Sequence, residues 1–288
     1  MNKHFKDNVL FILIATAAFL SEPAIVTAQE SPYSPANFTE PLSLYRGKIS
    51  PVSPDAVYLN KEDRCNILIN EMSWDSCDEV EAMIFGLAPG IDTVMVETPN
   101  SDGFVDLNDW EGGDRQAEVD QIWDDFAMGA KEQGKALGQR IEAVRWYVQP
   151  TLNREKSYLY YAILIDWDGE MVINAKASLF DRQGYIPVRI FPDSSDLSQT
   201  ELQQLVEISL NAYQPVAKQA YFDFEDGDKV AAVGAIGVLA TLVGVKYGKA
   251  AATGLFAIAL LFLKKAWFLL LIPLVFLKKF MFGKKEAE

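Results

Sequence analysis

Two hydrophobic periods share the middle of the chain. Over Asp114–Leu137, Val119, Ile122, Trp123, Phe126 and Ala130 recur every three or four residues, which predicts an amphipathic helix capped by Asp114. Its other side carries Asp120, Asp124, Asp125 and Lys131, which a solvated face explains. The period then becomes two. Ala143–Val148 alternates with Val144, Trp146 and Val148 on one side, and Tyr158–Trp167 follows. Asp168-Gly169 is a tight hairpin signal into Met171–Phe180. The DRQG turn at 181–184 leads into Tyr185–Phe191, where Pro187 predicts an edge strand. Ser198 stands at capping-box distance from Glu201 and opens a helix whose inner face is Leu202, Leu205, Val206 and Ser209. Upstream, a short helix is expected over Asp75–Phe85, capped by Asp75, with Val80, Ile84 and Phe85 facing in. A strand is expected over Ile91–Glu97. This order predicts an α+β fold: an antiparallel four-strand meander flanked by helices in an exported domain, followed by a C-terminal helical membrane module.

The pattern breaks at Asp228. Between Val230 and Leu277 there is no acidic residue, and the only charges are lysines. Three apolar runs, Val230–Val245, Ala250–Leu263 and Ala266–Leu277, are each shorter than the ~20 residues a lone spanning helix needs. Placed on one helix, Lys246, Lys249, Lys264, Lys265, Lys278 and Lys279 share one broad face, with Leu, Phe, Ile and Trp opposite. That favours a segment at the headgroup boundary, with Lys246, Lys264, Lys265, Lys278 and Lys279 facing the headgroups; three short clustered helices are the alternative. Ala240, Gly244 and Gly248 recur every fourth residue, the spacing that lets helix backbones approach. Chance occurrence of small residues is the competing explanation.

At the other end, Lys3 and Lys6, an apolar core over Val9–Leu20 and a Val26-Thr27-Ala28 cleavage site predict a secretory signal. No cysteine follows that core, so a lipoprotein signal is excluded. The expected units are a signal peptide at 1–28, a Pro-rich linker at 29–55, an acidic extracytoplasmic domain at 56–228, a hydrophobic anchor at 229–283 and a charged tail at 284–288. Export makes a disulfide between Cys65 and Cys77 the simplest use of the two cysteines.

Charge divides the same way. Setting aside the signal (two basic, two acidic) and residues 229–288 (nine basic, two acidic) leaves 15 basic and 36 acidic residues. The domain is thus near −21 and the tail +7. Such a domain is repelled by nucleic acid and anionic lipid. The tail lysines belong on the cytoplasmic side. The expected location is the inner membrane, with the acidic domain outside the cytoplasm and the C-terminus inside. Expected partners are membrane lipid and either a protein partner or a second copy bound through the anchor.

Catalytic options are few. The single histidine, His4, lies in the signal, so a mature chain lacks the residue on which Ser-His triads, Cys-His pairs and His-ligated zinc depend. No phosphate loop or dinucleotide fingerprint is present, and no cofactor is implied. Carboxylates remain. Asp102, Asp106, Asn108, Asp109, Glu111 and Asp114 crowd a Gly-containing loop, and Asp102, Asp106, Asp109 and Glu111 are the candidate ligands for a hard cation such as calcium. An EF-hand frame from Asp106 fails, with Trp110 at its fifth position and Glu111 where glycine is required. A solvated acidic loop is the simpler reading. Two functions stay open: a non-catalytic interaction or accessory module of the envelope, and a carboxylate-dependent, metal-assisted hydrolase using a pair such as Asp106 and Asp109.

WYVQP at 146–150, SYLYYA, VINA, DRQG and above all DKVAAVG followed by KYG resemble a bacterial family of membrane-anchored proteins, domain of unknown function 2167. The resemblance covers about 100 to 265. It implies an exported protein with a hydrophobic C-terminal anchor and assigns no activity. The chain departs from the family pattern at Val233, where an aromatic residue is usual, at Phe180-Asp181, and after Pro150, where an aromatic-Asp pair is missing.

Overall fold

A computed structural model describes residues 33–71, 74 and 76–245. The expected meander is present: β7 (Ile141–Asn153), β8 (Tyr158–Trp167), β9 (Glu170–Asp181) and β10 (Gly184–Pro192) pair antiparallel in sequence. Asp168 and Gly169 both take positive φ, 53° and 92°, which makes the tight turn between β8 and β9. The meander is half of a larger sheet. β10 continues into β6 (Ile91–Glu97), then β5 (Val80–Phe85), β4 (Val57–Tyr58) and β1 (Ala36–Asn37), giving eight strands in the order β1-β4-β5-β6-β10-β9-β8-β7.

Pro187 is therefore in a central strand, not at an edge. Pairing between β10 and β6 starts at Val188, one residue beyond the proline, so its missing donor falls where the β6 ladder has ended. Along β7 the expected alternation is interrupted by register shifts after Ala143, Trp146 and Val148, and Val144 is exposed.

Both faces of the sheet are covered. On one, Val94, Val96, Ala175, Ala177, Val188 and Ile190 meet α3 (Gln199–Asn211), which buries Leu202, Leu205, Val206 and Ser209 as its spacing predicts. Its capping box is formed in both directions between Ser198 and Glu201. The other face has two covers. Over β8, α2 (Arg115–Leu137) inserts Val119, Ile122, Phe126 and Ala130; Asp114 stands at its N-cap without a side-chain hydrogen bond. Over β5 and β6 lie α1 (Lys61–Asn66), the π-helical turn that continues it, and Trp74.

Three further expectations are corrected. Val80–Phe85 is strand β5, not the end of a helix; Asp75 lies outside the described residues. Five of these residues have strand partners across β6, and that pairing overrides the helical preference of Glu81, Ala82 and Met83. The Pro-rich stretch, from its first described residue, is part of the fold. It supplies β1, β2 (Leu42–Ser43) and β3 (Gly47–Ile49), with Phe38, Arg46 and Ile49 buried, and β2 and β3 join β11 (Tyr213–Pro215) in a three-stranded sheet.

The third correction is the largest. Val230–Val245 is not a free hydrophobic run. Only Ala235–Val243 is helical (α4), and Ala235, Ile236, Val238, Leu239, Ala240, Leu242 and Val243 are buried where the helix packs against α2 and β9. Nine residues make a helix about 14 Å long, under half of the ~30 Å hydrocarbon core. Among the described residues no helix is long and apolar enough to cross a membrane. The signal at 1–28 and the runs from Lys246 onward lie outside the described residues.

Candidate functional site

The feature that sets this domain apart is how α4 is held. Its N-terminus faces the short 3-10 turn Asn108–Glu111, and Asp109 of that turn supplies the cap from 126 residues away. One carboxylate oxygen accepts the Ala235 amide at 2.9 Å and the other the Ile236 amide at 3.1 Å. Gly234 makes this approach possible: a Cβ there would collide with the Asp109 carboxylate. Burial raises the Asp109 pKa, the Ile236 and Ala235 amides pull it back, and Asp106 and Glu118 push it further up. At the other end Gly244 closes the helix with φ 93°, and Lys176 Nζ donates to the Leu242 carbonyl at 2.8 Å. A carboxylate at the N-terminus and an amine at the C-terminus both complement the helix macrodipole. α4 is thus clamped at both ends by groups from distant parts of the chain.

Lys176 belongs to a polar row inside the sheet. It lies directly opposite Tyr161 of β8 and Arg189 of β10, and Arg189 lies opposite Met95 of β6. The Arg189 guanidinium pairs with Glu97 through Nε and sits 5.7 Å from the Trp74 ring centre. Burial holds the Lys176 pKa well below its usual value, Arg189 lowers it further, and Glu97 opposes. Burial likewise raises the Tyr161 hydroxyl well above the usual phenol range. Among the described residues, the Tyr161 and Ser178 hydroxyls and both amide atoms of Asn174 are buried without a hydrogen-bond partner. At the far end of β9, Arg46 and Asp181 form a buried ion pair at 2.7 Å, and Asp181 also accepts the Gln183 amide.

The acidic loop is committed to structure. Asp102 accepts from Asn100 Nδ2 at 2.8 Å, Asp106 accepts the Asn108 amide at 2.9 Å, and Glu111 pairs with Arg154 at 2.7 Å. Asp109 has both oxygens on α4. Among the described residues no group of three or more His, Cys, Asp or Glu side chains is placed to hold a metal ion. Cys65 and Cys77 form the expected disulfide, with Cα atoms 4.9 Å apart. Of the proposed helix-packing ridge, Ala240 is fully buried inside the domain and Gly244 ends α4, so the two do not continue along one helix. Gly248, Lys246, Lys264, Lys265, Lys278 and Lys279 lie outside the described residues.

Compared with known proteins, residues 44–275 match the family described as a protein of unknown function, DUF2167. The chain belongs to the DUF2167 family. No curated protein matches it. Among solved structures, it has a weak likeness to the solution structure of cyanobacterial PsbP (CyanoP) from Synechocystis sp. PCC 6803. The identity is 10% and the TM-score 0.25, over 49% of this chain and 89% of that one, too low to bear on fold or function.

The residues of this DUF2167 protein that sequence reasoning passed over are Arg46, Tyr161, Lys176, Asp181 and Arg189. Asn174, Lys176 and Ser178 alternate with Ile173, Ala175 and Ala177, the pattern of a strand with one wet face. The covers lent by α2, α4 and α1 bury that face, and nothing local in β9 signals it.

Proposed function

We propose that this DUF2167 chain is a membrane-tethered envelope protein whose acidic domain is a non-catalytic interaction or accessory module facing the periplasm. The observation that carries the reading is α4. The last described residue, Val245, follows directly on a clamped, buried helix, and the lysine-bearing apolar sequence begins at Lys246. A hydrophobic tether starting there would leave from a fixed point of the domain rather than from a loose linker, and would set the domain's height and orientation over the bilayer. The disulfide suits an oxidising compartment, and the net charge near −21 over 29–228 disfavours nucleic acid as a partner. Inner-membrane lipid takes the tether, and a protein partner or a second copy takes the domain or the anchor. The carboxylate-dependent hydrolase is less favoured because Asp106 and Asp109 each already accept backbone amides.

Single cysteines test the topology. Met128 is 59% exposed on α2, and Glu286 lies in the tail. In intact cells with a permeabilised outer membrane, an impermeant maleimide should label M128C but label E286C only after the inner membrane is breached. Protection of M128C, or labelling of E286C, in intact cells sinks the proposal.

A further inference from the structure

Exposed apolar side chains gather at one end of the sheet, where β9 turns into β10. Tyr45, 76% exposed, and Phe222, 71% exposed, are the most exposed large apolar residues among those described. Backbone contacts tie their neighbourhoods together. The Val216 amide donates to the Arg46 carbonyl at 3.1 Å, and the Arg46 guanidinium pairs with Asp181 at 2.7 Å. Ala220 bridges to Asp181, and Phe222 packs edge-on against Tyr221 with ring centres 5.5 Å apart. Tyr221 stacks on Phe104 at 4.6 Å, and Phe104 on Phe224 at 4.1 Å. Phe104 also bridges to Val230, which is exposed. Tyr45, Val216, Phe222 and Val230 therefore lie on a frame already fixed by an ion pair and stacked rings. Rigid aromatic groups lose little entropy on contact, which is why they anchor protein interfaces.

Charge selects what covers this end. In the segments that build it, 42–49, 99–112, 153–157, 181–184 and 216–233, ten residues are acidic and seven basic. Three of the basic ones are spent within the frame: Arg46 on Asp181, Arg154 on Glu111, and Arg182 on Asp228 and Glu225. Asp226, four residues after Phe222, is exposed. An acidic surface repels anionic lipid and a second copy of itself, and attracts a basic surface. Position points the same way. Val233 lies at the start of α4, and a tether leaving at Val245 starts from the other end of that helix, about 14 Å away.

We infer that this end, carrying Tyr45, Val216, Phe222 and Val230, docks a protein partner that presents lysine or arginine side chains among apolar ones. The rings supply the apolar contact, and the surrounding carboxylates supply the preference for a basic partner. The inference names the contact surface of the interaction module proposed above and rests on that reading.

The test places the photocrosslinker benzoylphenylalanine at Phe222 of the full chain in living cells, with Met128 on α2 as the control position. Irradiation should give a protein adduct from position 222 and none from 128, and the crosslinked peptide should carry lysine or arginine. Asp226→Lys should cut that adduct about tenfold without moving the melting temperature, and a glutamate in place of the partner's crosslinked lysine or arginine should restore it. Val230→Ser, which removes apolar contact and no charge, should cut it about fivefold. An adduct with a second copy or with lipid, an acidic crosslinked peptide, no adduct, or an adduct indifferent to Asp226→Lys overturns the docking surface. The M128C labelling keeps the two claims apart. With M128C labelled from outside, any of these results fails the docking surface alone, whereas protected M128C fails the module reading and the surface with it.

Discussion

Replacing Asp109 with alanine removes the one side chain that caps α4, and the structure sets the size of the loss. Two amides, Ala235 and Ile236, lose their acceptor in a region where Ala235 and Ile236 themselves are buried. An N-cap is worth about 0.5–2 kcal/mol, and each buried donor left unsatisfied costs about 1–3 kcal/mol. Asp109 is only half-buried, so water entering the gap recovers part of this, and its ionised form is already disfavoured by burial. The expected net loss is about 2–3 kcal/mol. Asp109→Asn keeps one acceptor and should lose about half as much. Gly234→Ala, whose Cβ would displace the same carboxylate, should be nearly as damaging, and the pair should be far from additive because both break one contact. Denaturant melts of the full chain give the free energies, and hydrogen exchange reports α4 separately. A D109A protein within 0.5 kcal/mol of wild type, with residues 235–243 equally protected, would refute the clamp.

Other expectations concern the disulfide and acid stability. Replacing both Cys65 and Cys77 with alanine should cost about 2–3 kcal/mol, from the short loop they close, and should leave the β7–β10 meander intact by hydrogen exchange; non-reducing mass mapping of the natural protein should recover one bridge. Hydrogen bonds from Arg182, together with the Glu225 amide, hold the Asp228 carboxylate below its usual pKa. A carboxyl depressed in the fold contributes stability above its unfolded value, about 3.9, and loses it as pH falls below that through the folded value. Acid melts of Asp228→Asn should therefore be shallower below about pH 4 than those of wild type, and identical slopes would contradict the assignment.

How legible each element was follows from its surroundings. α2 and α3 were readable because each has one apolar face, and β6 and the β8–β9 hairpin because their apolar runs stop at local turn signals such as Pro99-Asn100 and Asp168-Gly169. β5 was not. Its VEAMIF sequence suits a helix locally, and only pairing with β6 makes it a strand. The strands of 36–49 are two or three residues long between prolines and leave no period to read. α4 failed for a deeper reason. A helix apolar on all sides is either in lipid or in the centre of a protein, and the sequence is the same in both cases. What separates them is that Gly234 and Gly244 bound it at nine residues, and that Asp109 and Lys176, far away in sequence, reach its two ends. The role of Asp109 was hidden in the same way, because its two amide partners lie 126 and 127 residues downstream.

α4 belongs to the interior of the domain and not to the bilayer. Photolabelling the full chain in vesicles with a lipid-soluble carbene reagent, then mapping adducts by mass spectrometry, tests it most directly. No adducts are expected over Ala235–Val243 in the wild type, adducts are expected within 250–277 where the apolar runs resume, and new adducts should reach α4 only when Asp109→Ala releases it. Labelling of Ile236, Leu239 and Val243 in the wild type, at the same density as 250–277, would place the helix in lipid rather than in the domain.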